Sequence, residues 1–148
     1  MGVNKAFERI REAVVFVLSL ALFGPVWAGA EGQACGAASF ADFVVAFSDS
    51  ALLQRGNTNN PLHWQHMDLK AQPEPRPVLQ SLDIDQVAFP VMPSAARRQQ
   101  ASLVLTIDAP SEYLGKVTLR KADTDFLVNY YFIKRTCWSL VRIDDWSL

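Results

Sequence analysis

The chain has 148 residues, half of them hydrophobic and 20% charged, with a formal net charge of −1. That is enough for one domain with one modest core and too little for two. The near-neutral balance, without a basic cluster, excludes nucleic acid or an anionic membrane surface as an expected partner.

The first thirty residues read as a secretory signal. Lys5, Arg9 and Arg11 form a basic region, Ala13 to Phe23 is apolar, Gly24-Pro25 breaks the run, and Ala28-Gly29-Ala30 has the small-residue pattern of a cleavage site. Cleavage is expected between Ala30 and Glu31, leaving residues 31–148 as a single exported domain, periplasmic or secreted. The apolar run is shorter than the roughly 20 residues a spanning helix needs, so no stable membrane anchor is expected after cleavage. Lipid anchoring at Cys35 is disfavoured because Gly32-Gln33-Ala34 lacks the large aliphatic residue expected before such a cysteine. In an oxidising compartment the two cysteines, Cys35 and Cys137, are expected to form a disulfide. Closing a loop of that length stabilises by up to about 4.7 kcal/mol in the chain-entropy model.

Ser39 with Asp42 is an N-cap followed by an acidic third position. Phe40, Phe43, Val44, Phe47, Ala51 and Leu52 then recur at helical spacing, which predicts one long helix over Ser39 to Arg55 with Gly56 as its C-terminal cap. Asn57 to Pro61 reads as loop and Leu62 to Lys70 as a short strand. Pro73, Pro75 and Pro77 force an extended connector. Val78 to Gln86 is a further short strand or turn, and Ser94 to Arg98, after Pro90 and Pro93, one helical turn.

The last third changes character. Ala101 to Ile107, Lys116 to Lys121, Asp125 to Lys134 and Trp138 to Ile143 are β-branched and aromatic, and turn residues at Asp108 to Ser111 and Ala122 to Thr124 make them an antiparallel meander. Alternation places Leu103, Leu105 and Ile107 on one face, with Val117 and Leu119 likewise together, and sets Val128, Tyr130 and Phe132 opposite Asn129, Tyr131 and Ile133. A strand apolar on both faces should be central, with a helix on one side and a partner, loops or a second subunit on the other.

A phenylalanine-striped helix followed by Pro61-Leu62, and a chain end reading Phe132-Ile133-Lys134-Arg135-Thr136-Cys137-Trp138-Ser139-Leu140-Val141-Arg142-Ile143-Asp144-Asp145, resemble the nuclear transport factor 2-like superfamily, in particular an uncharacterised bacterial secreted branch. The resemblance runs from about Ser39 to Trp146. It implies an α+β fold in which an N-terminal helix packs on a curved antiparallel β-sheet, a cone-shaped, cystatin-like roll enclosing a pocket. Relatives place Gly or Asn in the turn before the tryptophan. Lys134 to Cys137 has neither, which implies a longer or bulged turn that a bond from Cys137 to Cys35 would hold. The scaffold serves isomerases, dehydratases, ligand binders and non-catalytic dimers, so it does not choose a function.

His63, His66 and Asp68 are the one concentration of acid–base or metal-type side chains. On a strand only His66 and Asp68 share a face, which leaves a weak catalytic pair and too few ligands for zinc, and no metal is expected. Trp64, Tyr113, Tyr130, Tyr131, Phe132, Trp138 and Trp146, with the tyrosine hydroxyls and Arg120 as polar anchors, are candidates to line a pocket for an apolar ligand, though core packing explains most of the set. Asp123 and Asp125, and Asp144-Asp145, read as turn and solvated carboxylates. No phosphate-binding loop, nucleophile elbow or triad order appears, so no cofactor is expected. Three functions remain: a non-catalytic module that binds a protein or forms a homodimer through its sheet, a binder of a small apolar ligand, and an isomerase- or dehydratase-like enzyme using His66, Asp68 and a tyrosine.

Overall fold

A computed structural model describes residues 37–148. The expected leader, its junction at Ala30 and Glu31, and Cys35 lie outside the described residues. Helix α1, Phe40–Asp49, starts where expected. The Ser39 hydroxyl accepts the Asp42 amide at 3.1 Å and donates to the Asp42 carboxylate at 2.6 Å. Its buried stripe is Phe40, Phe43, Val44 and Phe47.

The single long helix predicted to Arg55 is instead two. Ser50 leaves helical geometry at φ −132°, ψ 111°, and its side chain caps a second helix, α2, Ala51–Gly56, by accepting the Leu53 amide at 3.2 Å. Serine competes for backbone groups and so favours a cap over a helix interior. The C-cap of α2 is Asn57 rather than the predicted Gly56.

The predicted loop at Asn57 to Pro61 is largely strand. β1 runs Thr58–Asp68 and pairs with β2, Arg76–Leu82, in an antiparallel hairpin with Leu62 opposite Leu82 and Asp68 opposite Arg76. Pro61 brings no amide to a ladder, and the pairing of β1 with its other neighbour shifts register between Thr58 and His63, where that gap is absorbed. Pro77 is tolerated because β2 is an edge strand. A 3₁₀ turn, Ile84–Gln86, and a short helix α3, Ala95–Gln100, capped by Ser94, follow.

The meander is present as β3, Leu103–Asp108, β4, Leu114–Lys121, β5, Leu127–Lys134, and β6, Trp138–Asp145. The six strands form one sheet in the order β2-β1-β6-β5-β4-β3. It is antiparallel except between β1 and β6, which run parallel, a long-range pairing that no local pattern encodes. Residues 135–137, including Cys137, make the β5–β6 turn, and the irregularity follows it: Phe132 faces Leu140 while Tyr131 faces Arg142, which leaves Val141 as a bulge.

The helices cover one face only. Val117, Leu119, Val128, Tyr130, Phe132, Trp138, Leu140 and Ile143 meet the α1 stripe in a single core. The rings of Phe43 and Phe47 stand edge-on to Phe132, at 5.7 and 5.2 Å between centroids, and Trp138 leans on Phe40 at 4.5 Å. This aromatic cluster fills the space between helix and sheet with side chains.

Candidate functional site

The other face of the sheet is uncovered among the described residues, and pairing register fixes what it displays. Counting outward from the buried positions, β5 presents Leu127, Asn129, Tyr131 and Ile133, and β4 presents Leu114, Lys116, Thr118 and Arg120 beside them. β6 adds Arg142 and Asp144, β1 adds His63 and Gln65, and the edges add Leu79 and Val104.

A polar network occupies its centre. Arg142 Nε donates to Asp144 Oδ1 at 2.6 Å and Arg142 Nη2 to Gln65 Oε1 at 3.2 Å, while Thr118 donates to Asn129 at 2.8 Å. Asp144, expected to be solvated, is 4% exposed. Its position within β6, between the neighbouring strands, accounts for the difference. The hydrogen bond from Arg142 to Asp144 raises the guanidinium further above its usual value. The Tyr131 phenol is also raised, first by burial and then by the charge of Asp144. Its ring lies between two cations, with Lys116 Nζ 5.7 Å and Arg142 Cζ 6.0 Å from the centroid.

Next to this network is a cavity of about 220 Å³. Pro110, Leu114, Ile133 and Val141 give it apolar walls, and Asp108, Lys116 and Tyr131 stand among them.

The residues singled out from the sequence are scattered over the fold. Phe132 and Trp138 belong to the core, at 1% and 5% exposed, and Phe132 also reaches the cavity wall. Tyr130 is buried, with its hydroxyl donating to the Val91 carbonyl at 2.9 Å. Trp64 packs partly against the core from β1, Tyr113 is exposed in the β3–β4 loop, and Arg120 is exposed on the open face. His66 and Asp68 share the inner face of β1, and no hydrogen bond joins them among the described residues. Asp68 instead accepts the Lys70 amide at 3.0 Å, and His63 Nδ1 meets Ser81 Oγ at 3.1 Å. The sequence reading missed Lys116, Arg142 and Gln65. Their alternation was legible, but the neighbours that make them a group lie on four different strands.

Tyr130 yields a pH prediction. Burial, with a smaller contribution from Asp145, raises its phenol above the ordinary 10.0, against an opposing effect of Arg98. Below that pH both folded and unfolded chains hold the proton; above it the unfolded chain alone releases it, so stability falls as pH rises. One proton corresponds to about 1.4 kcal/mol per pH unit. Urea unfolding at about pH 9 and about pH 11 should show a steeper loss for the native protein than for Tyr130→Phe. Equal slopes would mean that the phenol ionises normally.

No protein-family model matches the chain, and no curated protein does. The structure is similar to the crystal structure of an NTF2-like protein from Bacteroides fragilis NCTC 9343, with a TM-score of 0.55 and 18% sequence identity over 74% of this chain. The match takes in 47% of that protein, so the chain spans about half its length. The protein thus has the nuclear transport factor 2-like α+β fold that the sequence resembles: a short helical layer on a six-stranded, mostly antiparallel sheet.

Proposed function

We propose that the protein is an exported, non-catalytic module that self-associates through the open face of its sheet. The pattern along the strands is the observation that carries this reading. One end of the face bears Val104 and Leu127, 44% and 36% exposed, on either side of the exposed Arg120, the other bears Leu114 and Ile133, and the polar network of Arg142, Asp144 and Gln65 lies between them. A two-fold axis in the contact plane, running across the strands, exchanges the ends and so sets Leu127 on Ile133 and Asp144 on Arg142, with the Arg120 stem lying along Leu114 and its charged head at the rim.

The size is also suitable. Six strands about 4.8 Å apart, each about eight residues long, present roughly 700 Å², close to the roughly 800 Å² each partner contributes to a standard interface. Export rests on the leader at residues 1–30, and a Cys35–Cys137 disulfide would tie the start of the domain to the β5–β6 turn.

Native mass spectrometry of protein recovered from the envelope without reductant tests all three elements. The expected species is a dimer of chains that begin at Glu31, each lighter than its reduced form by two hydrogen atoms. Leu127→Glu, at an exposed position, should give monomers with an unchanged circular dichroism spectrum, because a charge buried in the contact has no partner. A native protein that stays monomeric at millimolar concentration would sink the self-association reading.

A further inference from the structure

We infer that the free edge of β3 is a second contact surface, and that it takes the β3 strand of another copy of this chain, paired antiparallel about Leu105. The contact is separate from the open-face one, which leaves the edges of the sheet unpaired.

The two edge strands differ. β2 carries Arg76 and Pro77, a charge and a missing donor of the kind that keeps an edge from pairing. β3 has neither proline nor a basic residue, and its one charge, Asp108, stands at its end. The ladder fixes which of its backbone groups are free. Lys121 donates its amide to the Phe126 carbonyl at 3.3 Å, and the Tyr113 carbonyl accepts the Lys134 amide at 2.8 Å. Tyr113, Lys121 and the odd-numbered residues between them therefore bond toward β5, and Lys116, Thr118 and Arg120 bond Asp108, Thr106 and Val104. That leaves the amides and carbonyls of Leu103, Leu105 and Ile107 pointing away from the sheet, with no hydrogen bond among the described residues.

A second β3 answers these groups in one register. With Leu105 opposite its symmetry mate, Leu103 faces the second copy's Ile107 and Ile107 its Leu103, and each of the three pairs exchanges two hydrogen bonds. Centring the pair on Val104 or Thr106 keeps only two of them. The side chains agree with the backbone. Leu103, Leu105 and Ile107 extend the half-buried inner face, Val104 lies beside Thr106 on the open face, and Asp108 falls opposite Ser102 rather than a like charge. A strand of six residues is about 20 Å long. The contact is thus far smaller than a standard interface and belongs to the weak class, populated at millimolar rather than micromolar concentration.

Amide hydrogen exchange followed by NMR on the Leu127→Glu variant, in which the open-face contact is removed, tests the pairing. As the protein rises from micromolar to millimolar concentration, exchange at Leu103, Leu105 and Ile107 should slow severalfold, while exchange along β2 stays constant. Val104→Lys with Thr106→Lys, both at exposed positions, sets lysine opposite lysine across the two-fold axis and should abolish the slowing. Val104→Lys with Thr106→Glu sets lysine opposite glutamate and should keep it. A matching circular dichroism spectrum verifies the fold of each variant. Exchange that does not change up to millimolar protein would overturn the inference, and so would slowing confined to β2 or equal behaviour of the two double variants. The fate of the open-face contact is read from the native protein at micromolar concentration, so either contact can fail without the other.

Discussion

Replacing Gln54 with leucine is expected to lower the unfolding free energy by about 3–5 kcal/mol, although the two side chains are close in size. Gln54 is fully buried in α2. Its Oε1 accepts the Met92 amide at 2.9 Å, and its Nε2 donates to the Met92 carbonyl at 2.8 Å and the Ser48 carbonyl at 3.3 Å. One side chain thus closes the end of α1 and holds the segment that carries Met92, itself wholly buried, in the core. Leucine fills the space but strands an amide and two carbonyls away from water, each costing about 1–3 kcal/mol. Domains of this kind have about 5–15 kcal/mol in total, so the loss should be plain in the urea midpoint. Gln54→Glu, which retains an acceptor and loses the donors, should also destabilise. A loss below about 1 kcal/mol for the leucine variant would show that water reaches these groups and replaces the amide.

Gly115→Val should destabilise by about 3 kcal/mol, the opposite of what valine does at an ordinary strand position. A Cβ at residue 115 would lie 2.2 Å from Phe40 Cζ and 2.5 Å from both its Cε atoms. Here the ring of α1 rests on the bare backbone of β4. Phe40 is itself wedged between Phe132 and Trp138, so the ring cannot swing aside. The collision is specific and can be relieved. Phe40→Ala in the Gly115→Val background should cost less than Phe40→Ala alone, a coupling that a double-mutant cycle reads directly. Additive losses would place the damage in the backbone of β4 rather than in the ring contact.

Much of this architecture was legible because it is local. The Ser39 cap, the phenylalanine stripe and the strand alternation depend on residues within a few positions of one another. So do the turns, where Ser111 accepts the Tyr113 and Leu114 amides and Thr124 donates to the Lys121 carbonyl. The failures have one cause. Ala51 and Leu52 carry the apolar spacing on past Ser50, and a helix of unbroken spacing could not be distinguished from two helices meeting at a serine. Asn57 to Pro61 has the composition of a loop and becomes strand because β6 and β2 supply its partners.

The candidate site was less legible than the fold. Tyr130, Phe132 and Trp138 are large aromatics on alternating strands, and nothing local separates a pocket wall from a core. The outcome depends on where α1 packs. The alternation of Lys116 and Arg142 along their strands was legible but not their grouping, since they gain meaning from Tyr131 on the strand between them.

The sequence by itself determined the helical start, the strands of the meander and which side chains of each strand face inward, since backbone period and capping act over a few residues. Only the tertiary structure decided the parallel docking of β1 on β6, the Gln54 clamp, the burial of Asp144 and the composition of the open face. Each of these is a hydrogen-bonded or packed encounter between segments far apart in the chain, and its geometry exists only once the sheet has closed around the aromatic core.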